Sequence, residues 1–211
     1  MKILLIAFMA MFSITANAGL IQSDLTGDNA ASISANDVLG GGLTANRGGN
    51  IIADGAGLGL FDVTFTFLGY EAGYDNDFDF GIGDTNIFSN KGINASEVDD
   101  VFTFNNVTMA ELLSFRFYSQ NSGLEARNLS NTTDTNAGSF ASLFNYTHNG
   151  IHYDAIVGFD DSGAGADGDY DDLVVGINVS QVPEPASAML LGLGLAGLGL
   201  ARKRKQAKEV A

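Results

Sequence analysis

Apolar side chains recur at every second position in three stretches of the chain, and each predicts a β-strand with one buried face. Phe61, Val63, Phe65 and Phe67 alternate with Asp62, Thr64, Thr66 and Leu68. Leu113, Phe115 and Phe117 alternate with Ser114, Arg116 and Tyr118, and Leu173, Val175, Ile177 and Val179 form the third set. Weaker candidates lie at 31–39, 50–54, 101–107 and 140–147, and only Ala110 to Leu113 hints at a turn of helix. Short, closely spaced strands with Asn, Asp, Ser, Thr and Gly crowding the turns predict an all-β fold. The expected form is an antiparallel β-sandwich of roughly seven to ten strands. The Gly/Ala/Asn-rich stretch 19–58 carries too little pattern for elements to be assigned to most of it.

One hairpin can be placed by its turn. Asn149-Gly150 is the favoured pair for a two-residue type I′ turn. It pairs His148 with Ile151, Thr147 with His152, Tyr146 with Tyr153 and Phe144 with Ala155. Phe144, Tyr146, Ile151, Tyr153 and Val157 then share the expected core face, and Asn145, Thr147, His152 and Asp154 the other. The two histidines, His148 and His152, fall on opposite faces of such a hairpin, so they do not form a shared metal site.

The two ends differ from the middle. Lys2, the apolar run Ile3 to Ile14 and the small-x-small Ala16-Asn17-Ala18 read as a secretory signal peptide over 1–18. At the other end Pro183-Glu184-Pro185 precedes an uncharged run of 16 residues, Ala186 to Ala201, closed by Arg202-Lys203-Arg204-Lys205. At 1.5 Å per residue the run reaches ~24 Å, short of a ~30 Å hydrocarbon core but workable as a single transmembrane helix when flanking bases snorkel. The basic cluster should stay cytoplasmic, leaving the exported domain, 19–182, outside.

Pro183-Glu184-Pro185, the Gly/Leu span and the basic tail together resemble the PEP-CTERM sorting signal of Gram-negative bacteria that make exopolysaccharide. The resemblance covers 183–205 and implies recognition by an exosortase, a membrane transpeptidase-like processing enzyme. It implies a protein held in the inner membrane before processing and residing in the cell envelope, at the surface or outside the cell afterwards. The Pro-Glu-Pro would be substrate rather than catalyst.

Charge sharpens this picture. Residues 19–182 hold 23 of the 25 acidic side chains but only four of the ten basic ones, Arg47, Lys91, Arg116 and Arg127, a net charge of −19. Such a domain repels nucleic acid and anionic membranes and favours cations. No cysteine is present, which excludes disulfides, thiol nucleophiles and thiolate metal sites. No Gly-x-Ser-x-Gly or phosphate-binding glycine loop occurs either.

Two acidic clusters remain. Asp160, Asp161, Asp167, Asp169, Asp171 and Asp172 flank a Gly/Ala loop between two expected strands. Two readings fit: a solvated acidic loop, or a Ca²⁺ site in which carboxylates and carbonyls supply six to eight oxygens. The spacing is not that of an EF-hand, because Asp172 and Asn178 stand where its Gly and Glu belong. The stretch Gly158 to Val174 is similar to a motif of the domain of unknown function numbered 4114. That similarity implies a β-rich secreted module and no particular activity. The second cluster runs from Glu71 to Asp84. Phe78, Phe80 and Ile82 alternate with Asp77 and Asp79, which predicts an exposed-face strand whose charges protect a sheet edge.

The resulting expectation is a non-enzymatic surface or extracellular-matrix protein that binds calcium. An exopolysaccharide-binding module is the alternative, with Tyr70, Tyr74 and Tyr118 as its aromatic candidates. A glycoside hydrolase built on paired carboxylates stands third.

Overall fold

The structure, a computed structural model, describes residues 21–23, 30–33, 36–53, 59–92, 95–112, 114–131, 138–161, 168–182 and 192–199. The chain divides into two units, Met1–Gln181 and Val182–Ala211. In the first, thirteen strands follow one another among the described residues: β1 (Ile21–Ser23), β2 (Ala30–Ile33), β3 (Leu43–Arg47), β4 (Ile51–Ala53), β5 (Phe61–Gly69), β6 (Asn76–Phe80), β7 (Thr85–Ser89), β8 (Val101–Val107), β9 (Phe115–Ser119), β10 (Glu125–Arg127), β11 (Ser139–His148), β12 (Ile151–Asp160) and β13 (Leu173–Gln181). A single turn of helix, α1 (Met109–Leu112), separates β8 from β9. Thr108 and Glu111 cap it reciprocally: Thr108 N donates to Glu111 Oε2 at 2.8 Å and Glu111 N to Thr108 Oγ1 at 3.3 Å.

Every strand pairing is antiparallel. A seven-stranded sheet runs β2-β3-β11-β12-β13-β5-β8, a four-stranded one β10-β9-β6-β7, and β1 pairs with β4. The two larger sheets face each other across one core. Phe61, Val63, Phe65, Phe67, Val157, Phe159, Leu173 and Val175 come from one side; Phe78, Phe80, Phe88, Phe115 and Phe117 come from the other. The rings interlock: Phe65 lies 4.7 Å from Phe80, and Phe117 stacks on Phe159 at 5.2 Å and 4°.

A second apolar cluster covers the other face of the large sheet. Ile33, Leu68, Ile156, Tyr153, Tyr170 and Val174 form it, with Val38, Leu39 and Leu43 packed against it. It explains why β5 alternates only at its start: Thr66 and Leu68 are buried as well. The hairpin turn is type I′, with φ 49° at Asn149 and 81° at Gly150, and all four pairings read from it are present.

Several expectations are corrected. The strands exceed ten because β1 to β4 form in the Gly/Ala/Asn-rich stretch, where β1 pairs with β4 and β2 with β3, and β3 alone reaches a distant strand, β11. The hairpin's faces do not stay separate. Asn145 takes φ 53° and drops out of the ladder, after which Tyr146 and Tyr153 pass to the second cluster while Phe144 and Val157 stay with the first. Ile151, expected in the core, is exposed. The signal peptide reading and Leu113 lie outside the described residues. Of the expected span 186–201 the structure describes an exposed helix at 192–199. Among the described residues no helix is long and apolar enough to cross a membrane.

Candidate functional site

β6 is not an edge strand. It runs between β9 and β7, and Asp77 and Asp79 are both buried. The ladder sets Asp79 directly opposite Arg116, whose Nε donates to Asp79 Oδ2 at 2.7 Å. Gln120 Nε2 donates to Asp77 Oδ2. Arg116 also reaches Glu125, and Arg127 pairs with Asp84 at 2.7 Å. Burial raises the pKa of Asp79 and outweighs the lowering by Arg116, whereas the hydrogen bond from Arg127 lowers that of Asp84. These carboxylates are structural: Arg116 and Arg127 answer Asp79, Asp84 and Glu125, and the Gln120 amide answers Asp77.

The first acidic cluster divides on folding. Among the described residues, one group of three carboxylates converges: Glu71, Asp169 and Asp171 each offer an oxygen within 4.8 Å of the others. Glu71 lies in the loop leaving β5, in the cluster expected to form an edge, and its N–H donates to the Asp171 carbonyl at 2.7 Å. Asp171 is almost fully buried, and its Oδ2 accepts from Asp37 N–H at 2.7 Å. Asn36 Nδ2 donates to the carbonyls of Asp169 (3.0 Å) and Tyr170 (3.2 Å).

Tyr170 fixes this arrangement. It is buried with φ 58°, a left-handed conformation that bends the chain between the two aspartates. Its hydroxyl accepts from Arg47 Nε at 2.9 Å and lies 3.3 Å from Ser139 Oγ, and the Arg47 guanidinium sits 5.2 Å above its ring. Arg47 of β3 thereby holds Tyr170 and the bend between Asp169 and Asp171 in place.

The other members of the cluster go elsewhere. Asp161 Oδ2 accepts from Asn76 Nδ2 at 2.8 Å, and Asp161 N–H donates to Asp172 Oδ2 at 2.7 Å. Asp160 is buried at the end of β12. Asp167 lies outside the described residues, as do Pro183, Glu184, Pro185, Arg202, Lys203, Arg204 and Lys205. Of the aromatic candidates for sugar stacking, Tyr70 is exposed, while the face of Tyr118 is covered by Arg116 at 5.1 Å. Sequence reasoning missed Glu71, Asn36 and Asp37 as members of the aspartate site. No local pattern marks them, because only the long-range pairing of β5 with β13 brings Glu71 to Asp171.

A family model described as the PEP-CTERM protein-sorting motif matches residues 181–205. No curated protein matches the chain. The chain thus ends in a sorting signal of exported proteins that are processed by an exosortase.

Proposed function

We propose that this chain is a non-enzymatic protein of the cell surface or extracellular matrix, sorted through its C-terminal end and carrying calcium in its β-sandwich. The PEP-CTERM match at 181–205 carries the sorting reading. Before processing, the run 186–201 would hold the chain in the inner membrane with Arg202 to Lys205 in the cytoplasm. Proline cannot donate to a ladder and disfavours helix before it, so an accessible linker around Glu184 is what this sorting reading expects. Replacing Pro183, Glu184 and Pro185 by alanine should leave a full-length, membrane-held species. Unchanged processing and release would sink the sorting reading.

The calcium reading is supported by the convergence of Glu71, Asp169 and Asp171, which come from two distant segments. Like charges this close oppose folding unless a cation joins them or water and hydrogen bonds offset them. Extracellular calcium modules bind at ~10⁻⁴–10⁻³ M, and calcium at 100 times the dissociation constant stabilises by ~2.7 kcal/mol. Magnesium, reluctant to shed water, should do much less. Calorimetric titration of Glu71→Gln with Asp169→Asn should show one calcium fewer than the unaltered chain. Identical titrations would reduce this group to a solvated acidic loop.

A further inference from the structure

At one end of the sandwich interior the aromatic core gives way to a polar layer. Phe78 and Phe117 face each other across β6 and β9, and Phe117 stacks on Phe159. Two residues further along each segment stand Asn76, Ser119 and Asp161. Alternate positions of a strand share a face, so these side chains follow the phenylalanines inward. Asn76 and Ser119 are direct partners in the ladder, and both are fully buried. Asn76 Nδ2 holds Asp161 Oδ2 at 2.8 Å.

Two buried oxygens in this layer have no hydrogen-bond partner: Asn76 Oδ1 and Ser119 Oγ. Native interiors rarely leave such groups unanswered, and an apolar side chain at either position would continue the phenylalanine core without that cost. The carboxamide cannot simply turn over, because that would set its oxygen against the Asp161 carboxylate. What answers both oxygens must therefore be a group that accepts their lone pairs beside a carboxylate.

We propose that Asn76, Ser119 and Asp161 form a buried calcium site, separate from the Glu71, Asp169 and Asp171 group. The donors are all oxygens, one of them anionic, with no nitrogen or sulfur, which suits a hard cation. Asp172 Oδ2, bonded to Asp161 N–H at 2.7 Å, brings a second carboxylate alongside. The irregular mixture of amide, hydroxyl and carboxylate fits the flexible coordination of calcium better than the strict octahedron of magnesium.

Ser119→Ala removes one oxygen and nothing else, so it separates a cation from a trapped water. In chelator the full-length chain carrying Ser119→Ala should melt at or above the unaltered chain, since an unanswered hydroxyl is gone. In saturating calcium it should melt below it, and one class of calcium should bind about tenfold more weakly or more. The Glu71→Gln, Asp169→Asn variant should still bind one calcium, and adding Ser119→Ala should weaken that ion. The same Ser119→Ala shift with and without calcium means a buried water only and overturns the proposal. So does a Glu71→Gln, Asp169→Asn variant that binds no calcium, a result that leaves the Glu71 group itself intact.

Discussion

The carbonyl oxygen of Tyr170 occupies the space beside Gly158 where any other residue would carry its Cβ, at 2.1 Å from the ideal position. Gly158 lies in β12, and Tyr170 begins the return toward β13, so a missing side chain on one strand seats the bend that carries Asp169 and Asp171.

Gly158→Ala should therefore act on both stability and calcium. The methyl has only backbone to displace, and overpacking of this kind costs about 1–3 kcal/mol. For a chain of this size the melting midpoint should fall by several degrees. The proposed calcium-induced rise in midpoint should shrink as well, because the displaced carbonyl lies between the two aspartates. Gly73→Ala, where nothing lies within 4 Å, is the control and should change little. Equal effects of the two substitutions would contradict the close approach.

The turn offers a test of backbone strain alone. Gly150 has φ 81° and open space around its absent Cβ. Gly150→Ala should cost about 1 kcal/mol through the left-handed conformation, without any packing loss. Asn149→Gly should be nearly neutral. Chemical denaturation, with an unchanged slope, would measure both.

Arg116 and Asp79 form the partly buried pair of the small sheet, with side-chain exposures of 22% and 6%. Arg116→Met strands the carboxylate, and breaking a buried pair in this way costs about 3–5 kcal/mol, with the lower end expected here. Because burial raises the folded-state pKa of Asp79 above its ordinary 3.8, its ionised form is a cost that sets in as pH rises through the folded value. The Arg116→Met deficit should accordingly be largest near neutral pH and shrink below 3.8, where the carboxyl is protonated in both states. A deficit that grew toward acid would reverse this sign.

Asp84 behaves oppositely. Its hydrogen bond from Arg127 lowers the folded-state pKa, so its contribution is present above the ordinary value of 3.8 and disappears as pH falls through the folded one. Asp84→Asn should lower the melting midpoint at pH 6 by a few degrees at most, as expected for a largely exposed pair. At the acid end of the titration the variant and the unaltered chain should converge. Asparagine tolerates the φ of 49° at this position, which keeps backbone strain out of the comparison.

What could be read from sequence follows from where each element finds its partner. β5, β9 and β13 were legible because burial on one face prints a period of two. The β11–β12 hairpin was legible because Asn149-Gly150 states its register locally. Asp77 and Asp79 looked like edge charges because Arg116 and Gln120, which answer them, stand far along the chain. β1 and β3 went unread, and β2 and β4 showed only as the weak stretches 31–39 and 50–54, for a related reason: residues such as Ala31 and Ala45 pair usefully only once the sheet exists. The acidic loop announced its charges but not its geometry, since Asn36, Asp37 and Glu71 join it only through the fold. The type of element is thus a local property here, while the membership of a site is not.

The four cationic side chains of 19–182 are all engaged: Arg47 by Tyr170, Lys91 by Gly73 and Asp75, and Arg116 and Arg127 by Asp79, Asp84 and Glu125. Exposed carboxylates such as Glu97, Asp99 and Asp100 therefore face water with no lysine or arginine of this stretch left to fold over them, while Asp160, Asp161, Asp169 and Asp171 are buried. Such a particle behaves as a compact polyelectrolyte wrapped in a counterion cloud, about 8 Å thick at physiological ionic strength. Crowded copies would hold one another apart by the osmotic pressure of those ions. Fresh water would swell such a layer, and hard water would contract it.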